Sequence, residues 1–306
     1  MPPQRVAVID CGTNTFNLLI AERRPAGWHF LCRRKKVVKL GAGGIRNGFI
    51  AEAPARRALK ALTGYRETLD AYAVKRVSIV GTAALRDAVN GKILLKEIRK
   101  QTGFKIELID GLREAELIWK GVNTAVDLGE ETSLIMDIGG GSTEFIICNR
   151  TKILWKQSFR LGAARLLEQI GFSDPVKPTE IRRLNQLLTQ ELDSLLKACN
   201  RFEPVRLIGS SGSFDTFASL ILKKEEKPAL RGSHYRFFLP SYRALHKTLI
   251  TSIYAERIKM PGMLRMRADM IVPASLLLTF VLRLTGLNDL HLSTYSLKEG
   301  LLSEIK

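Results

Sequence analysis

Acidic side chains set beside glycine turns are the feature of this sequence that could do chemistry. The stretch Ser133-Leu-Ile-Met-Asp-Ile-Gly-Gly-Gly-Ser-Thr-Glu-Phe-Ile-Ile-Cys148 starts as an apolar run suited to a buried strand and places Asp137 near its end. It turns through Gly139, Gly140 and Gly141 and leaves as a second strand, Phe145 to Cys148. Glycines let the backbone take positive φ and let an anion come up to the amide N–H groups. Asp137 and Glu144 would flank such an anion. A carboxylate beside a phosphate is electrostatically poor, so Mg²⁺ between them is the economical reading. A Gly-Ser linker would stay polar for longer and would not be framed by Leu-Ile-Met and Phe-Ile-Ile.

The amino-terminal segment has the same design. Arg5-Val-Ala-Val-Ile-Asp10 is an apolar strand ending in an aspartate, Cys-Gly-Thr-Asn14 is the turn, and Thr15 to Ala21 returns. Two such hairpins, with Asp10 and Asp137 in equivalent places, imply two similar domains. Two more small-residue loops follow strands, at Gly81-Thr-Ala-Ala-Leu-Arg86 and at Gly209-Ser-Ser-Gly-Ser213. Each could bind an anion or could simply turn the chain. Arg86 is either a phosphate ligand or a surface charge. Glu114 and Glu116 stand in the first turns of a helix, where acidic residues ordinarily complement the helix dipole.

The elements that must position these groups follow from periodicity. Helices are expected over Pro54 to Ala71, up to the stop at Thr102-Gly103, over Leu112 to Val122, from a Thr179 cap to Cys199, from Phe214, over Ile271 to Leu284 and from Leu297. Strands are expected at Val37 to Leu40, Val77 to Val80, Lys105 to Ile109, Ile153 to Phe159, Val205 to Ile208 and Leu290 to Ser293. Alternating strand and helix in the first half predicts an α/β domain with a mostly parallel core. Residues Glu225 to Pro240 are charged and aperiodic, and read as a mobile loop.

Composition narrows the function classes. The chain has 306 residues, 45% hydrophobic, with mean hydropathy near zero. That is enough for two medium domains with their own cores. Cys11, Cys32, Cys148 and Cys199 show no Cys-x-x-Cys spacing, which argues for reduced cysteines in a cytoplasmic protein. Neither a leader nor an apolar run of about 18 residues is seen, so secretion and membrane spanning are not expected. The net charge of +18 and pI near 10.0 would attract a polyanion. The basic residues are dispersed, as in Arg33-Arg34-Lys35-Lys36, without a recognition helix, so nucleic acid is not the expected partner.

These motifs carry a family resemblance. Ile9 to Asn17, Gly81 to Arg86, Gly111-Leu-Arg-Glu-Ala-Glu-Leu-Ile118, Asp137 to Glu144, Leu161-Gly-Ala163, Gly209 to Ser213 and Arg267-Ala-Asp269 resemble the exopolyphosphatase and guanosine pentaphosphate phosphohydrolase family. That family is the phosphatase branch of the superfamily of actin, sugar kinases and heat-shock chaperone ATPases. The resemblance implies two ribonuclease H-like domains, residues 1–124 and 125–306, facing across a cleft, with the last helix packing back on the first domain. It implies Glu114 as catalytic base, with Asp137 and Glu144 orienting water or a metal. Asp10, Asp137 and Glu144 would be the metal ligands, for Mg²⁺ or for Mn²⁺ in its place. Gly12, Thr13, Asn14, Arg86, Gly140, Gly141, Ser142, Ser211 and Gly212 match the phosphate-contacting positions.

The implied activity is release of orthophosphate from inorganic polyphosphate, with guanosine pentaphosphate as the alternative substrate. A binding protein without turnover and an ATP-dependent kinase are the readings from other classes. Members of the family often dimerise. There are departures: Arg113 replaces a glutamate and is expected to lower the pKa of Glu114, Asn17 takes a place where histidine is often found, and Lys298-Glu-Gly300 replaces Arg-Glu-Gly. The chain is expected to be a short member, lacking the extra helical domain with which longer members hold polymer.

Overall fold

Residues 4–25, 27–230 and 232–305 are described by a computed structural model. The first sheet grows from the run Val6-Ala-Val-Ile, apolar on both faces. It forms β1 (Arg5–Cys11), flanked by β2 (Thr15–Arg24) antiparallel and β4 (Arg76–Gly81) parallel. Alternation sends Val6 and Val8 to one core and Ala7, Ile9 and Cys11 to the other. The strand order is β3-β2-β1-β4-β5, with β3 at Gly27–Val37 and β5 at Glu107–Leu108. The sheet is therefore mixed, not mostly parallel, because three strands form an antiparallel meander.

The expected strand at Val37 to Leu40 lies in fact mostly before those residues. Its alternation is hard to read because β3 is an edge strand: Trp28 and Phe30 pack on the core while Arg33, Arg34, Lys35 and Lys36 stay exposed. Such a charged edge resists pairing with another chain. Helices α1 (Glu52–Ala71), α2 (Ala83–Asp87), α3 (Gly91–Thr102) and α4 (Gly111–Ala125) complete the first half.

The second sheet repeats the plan. Its order is β10-β11-β9-β6-β7-β8, formed by β6 (Ser133–Ile138), β7 (Thr143–Cys148), β8 (Ile153–Phe159), β9 (Arg206–Ser210), β10 (His234–Arg236) and β11 (Leu290–Ser293). The order β8-β7-β6-β9-β11 corresponds to β3-β2-β1-β4-β5, strand for strand, with β10 added inside the charged segment read as a loop. Its helices are α5 (Ala163–Ile170), α6 (Pro178–Glu191), α7 (Asp193–Phe202), α8 (Ser211–Lys224), α9 (Leu239–Thr251), α10 (Tyr254–Arg257), α11 (Ile271–Thr285) and α12 (Leu297–Ser303).

The single long helix expected after Thr179 is two, broken at Leu192. Lys177 is its cap in place of Thr179, and the Glu180 carboxylate accepts the backbone N–H groups of Lys177 and Ser173. Among the described residues no helix is long and apolar enough to cross a membrane.

Two helices are exchanged between the sheets. Helix α4 comes from the first half yet packs on β7 and β8, and α12 comes from the far end of the chain yet packs on β1 and α4. The α4–α12 crossing is so close that a Cβ on Gly300 would overlap the carbonyl oxygen of Leu117, and one on Gly121 that of Ser296. One apolar core accordingly mixes Val6, Val8 and Leu19 with Ile135, Ile146, Ile208, Leu301 and Leu302.

Candidate active site

The two hairpin turns are built by one device. In the β1–β2 turn the carbonyl of Thr13 accepts the N–H of Leu40 at 2.7 Å, and that of Asn14 accepts Val38 and Lys39 at 3.0 and 2.9 Å. In the β6–β7 turn Gly139 and Gly140 carbonyls accept the first N–H groups of α5, from Ala163, Ala164 and Arg165, and the Gly141 carbonyl accepts Arg165 Nε at 2.9 Å. In a trans peptide the carbonyl and the next N–H point oppositely. Binding the carbonyls from behind therefore turns the amides of Asn14, Thr15, Gly140, Gly141 and Ser142 the other way, toward the cleft.

The turns meet there: a Cβ on Gly140 would lie 3.1 Å from Thr13 Cβ and 3.3 Å from Asn14 Cβ. A side chain there would require Thr13 and Asn14 to give way by a few tenths of an ångström. Asn14 is buried beside it, and its Nδ2 has no hydrogen-bond partner among the described residues.

Below the turns lie the carboxylates. Asp10 pairs with Asn17 across β1–β2, and Asp137 with Glu144 across β6–β7, so each pair shares a face. Asn17 Nδ2 donates to Asp10 Oδ2 at 2.9 Å, the hydroxyls of Ser210 and Ser296 donate to Asp137 Oδ2 at 2.5 Å, and Ser158 donates to Glu144 Oε1 at 2.7 Å. Burial, then repulsion from Asp137, pushes Glu144 up to about 7; burial pushes Asp10 up to about 6 despite the bond from Asn17.

Glu114 enters from the first turn of α4, whose cap Asp110 accepts the Arg113 N–H at 2.7 Å. It is buried, and its Oε2 has no hydrogen-bond partner, with Arg86 Nη1 at 3.8 Å as the nearest cation. Burial and the neighbouring Glu144 and Asp10 raise its pKa well above the ordinary value. The expected lowering by Arg113 does not occur. That side chain turns away along the helix to Glu116 and Glu304.

Of the residues expected to form the site, Asp10, Gly12, Thr13, Asn14, Glu114, Asp137, Gly140, Gly141, Ser142, Ser211 and Gly212 line one cleft enclosing about 830 Å³ open to solvent. Glu144 and Arg86 do not line it. Glu144 lies beside Asp137, 1% exposed, and Arg86 is held behind the wall by the Ile109 carbonyl at 3.0 Å and by Asp87. The third loop joins through Ser211, whose φ of 67° directs its hydroxyl to the Ile138 carbonyl at 3.1 Å.

Four charged lining residues were given no role from the sequence: Lys35, Asp215, Arg267 and Lys298. Arg267 and Lys298 stood in recognisable motifs. Lys35 was hidden in the basic run, and only the β3 register, which sets it opposite Asn17, marks it out. Desolvation, then Arg267, holds its ammonium below the usual range. Gly212 is small because a Cβ there would run into the Arg267 guanidinium.

The donor set suits a hard divalent cation. Asp10, Asp137 and Glu144 each accept a bond from a neighbouring amide or hydroxyl, and the mutual repulsion of these carboxylates is what a cation would relieve. Among the described residues no three His, Cys, Asp or Glu side chains converge enough to enclose a metal by themselves.

Comparison with known proteins decides the lineage. Residues 19–306 match the Ppx/GppA phosphatase family. The chain belongs to that family. The crystal structure of an exopolyphosphatase from Cytophaga hutchinsonii superposes with a TM-score of 0.96 at 43% identity, over 98% of this chain and 97% of that one. A putative exopolyphosphatase of Haemophilus influenzae is 26% identical over 99% of this chain and 92% of its own length. The guanosine-5'-triphosphate,3'-diphosphate pyrophosphatase of Aliivibrio fischeri is 26% identical over 98% of this chain, which spans 59% of that protein. The Ppx/GppA fold thus accounts for the two like sheets and the cleft between them.

Proposed function

We propose that this chain is an exopolyphosphatase that hydrolyses the terminal phosphoanhydride bond of inorganic polyphosphate and releases orthophosphate. The observation that carries it is the meeting of the two amide-lined turns over Glu114, whose buried Oε2 has no hydrogen-bond partner among the described residues. In this reading the amides of residues 14–15 and 140–142, with Asn14 Nδ2, hold the terminal phosphoryl group. Glu114 orients a water for in-line attack and takes its proton, and its burial beside Glu144 and Asp10 raises its affinity for that proton. Asp10 and Asp137, with Glu144 behind them, would hold Mg²⁺, which when bound neutralises charge on the phosphate oxygens. Lys35, Arg267 and Lys298 supply fixed positive charge to the following phosphates.

The same cleft favours the polymer over the nucleotide. None of the residues lining it is aromatic, so a guanine base would find no ring to stack on. The test is phosphate release from long-chain polyphosphate and from guanosine pentaphosphate, with and without Mg²⁺, for wild type and Glu114→Gln. Release from polyphosphate, Mg²⁺-dependent and reduced at least about 100-fold in kcat by the substitution, is expected. Faster release from guanosine pentaphosphate would move the assignment to the alternative substrate, and an unaffected Glu114→Gln enzyme would remove the base.

A further inference from the structure

We propose that Asp87 is a positioning residue which ties the two walls of the cleft together, so that closure brings Glu114 and the Gly139–Ser142 turn into working register; this rests on the phosphatase reading above. Asp87 is the last residue of α2, in the first half of the chain, and its side chain is about four-fifths buried. Its Oδ1 accepts Arg86 Nε at 3.0 Å. Its Oδ2 lies 3.5 Å from Nη2 of Arg165 and 3.6 Å from Nη2 of Arg160, both from the opposite wall.

Each of the first two arginines leads to the site. Arg86 places its Nη1 on the Ile109 carbonyl, immediately before the cap of α4, and 3.8 Å from Glu114 Oε2. Arg165 places its Nε on the Gly141 carbonyl, one of the bonds that turns the amides of the glycine turn toward the cleft. One carboxylate thus stands between the group that faces the base and the group that shapes the phosphate cradle. Without its charge the three guanidinium groups lose the carboxylate that lies between them, and like charges at this range repel.

The other contacts across the cleft do not reach Glu114. Lys39 pairs with Asp269 at 2.6 Å, and the Gly43 N–H donates to Glu168 at 3.2 Å. Glu168 stands on α5, the helix that also carries Arg165.

The experiment compares Asp87→Asn, Asp87→Glu, Arg165→Ala and the Asp87→Asn/Arg165→Ala double variant on long-chain polyphosphate with Mg²⁺. Asp87→Asn is expected to lower kcat about 10- to 100-fold with little change in KM or melting temperature, since displacement of the reacting groups by about 1 Å is worth that much. Asp87→Glu, which keeps the charge, is expected to restore most of the rate. The double variant is expected to be no slower than the worse single one, because both break one link. Unchanged kcat in Asp87→Asn, or losses that multiply in the double variant, would overturn the proposal.

Small-angle scattering of the ligand-free proteins reads the link without turnover: Asp87→Asn is expected to show a larger radius of gyration than wild type, and an identical radius counts against the tie. A wild type inert on every phosphoanhydride would sink the phosphatase reading while leaving the scattering result to judge Asp87. Should Asp87→Asn not fold, Arg165→Lys reports the same link. Lysine keeps the charge but cannot serve the Gly141 carbonyl and Asp87 together, so a wild-type rate there overturns it.

Discussion

Four buried carboxylates in one neighbourhood make the site a store of unfavourable charge, and this has a measurable sign. Glu144 rises from 4.5 to about 7 and Asp10 from 3.8 to about 6 on folding. Between those limits the folded protein keeps protons that the unfolded chain has released, so stability is greatest on the acid side and is lost as pH rises toward 7. In EDTA, thermal melting from about pH 5 to pH 7.5 should show that fall, on the order of 3 kcal/mol for Glu144. Glu144→Gln should flatten it, and Mg²⁺ should raise the melting temperature more at pH 7.5 than at pH 5. A flat profile in wild type would show that the carboxylates do not press on one another. Asp10, Asp137 and Glu144 were legible from sequence because each stands at a strand end beside glycines. Glu114 was picked out only by the family resemblance: from pattern alone a first-turn glutamate has the same appearance whether it complements a dipole or faces a cleft, and burial among other acids separates the two.

At the scale of elements, the crossing of α4 and α12 carries most risk and most information. Gly300→Ala would press a methyl group into the Leu117 carbonyl, and helix backbones cannot yield as side-chain tips do. A loss of at least about 2 kcal/mol is expected from such overpacking, measured by urea denaturation, together with lower activity, because α4 carries Glu114. Unchanged stability would mean that the helices can part. The strands of both hairpins could be read from continuous apolar runs, which only doubly covered strands show. The edge strand β3 and the break at Leu192 could not. One face of β3 answers to solvent instead of the core, and a leucine at a helix break looks like any other leucine in the stripe. The bonds from Val38, Lys39 and Leu40 to the first turn were equally invisible, being made by backbone atoms alone.

For the whole molecule, the charge of +18 acts at long range where the cleft cations act at contact. Attraction between a polyanion and a dispersed basic surface is screened within about 10 Å at 0.1 M salt. Raising NaCl from about 0.05 to 0.5 M should therefore raise KM for long polyphosphate about 10-fold and leave kcat within about 2-fold; a KM indifferent to salt would confine recognition to the cleft. The exchanged helices set a different limit. Because α12 covers β1, that strand waits for residues near 300 to be made before its apolar face is sealed. The amino-terminal half expressed alone would present that uncovered face to solvent, so this architecture resists being cut into working halves and favours keeping the whole sequence on one polypeptide.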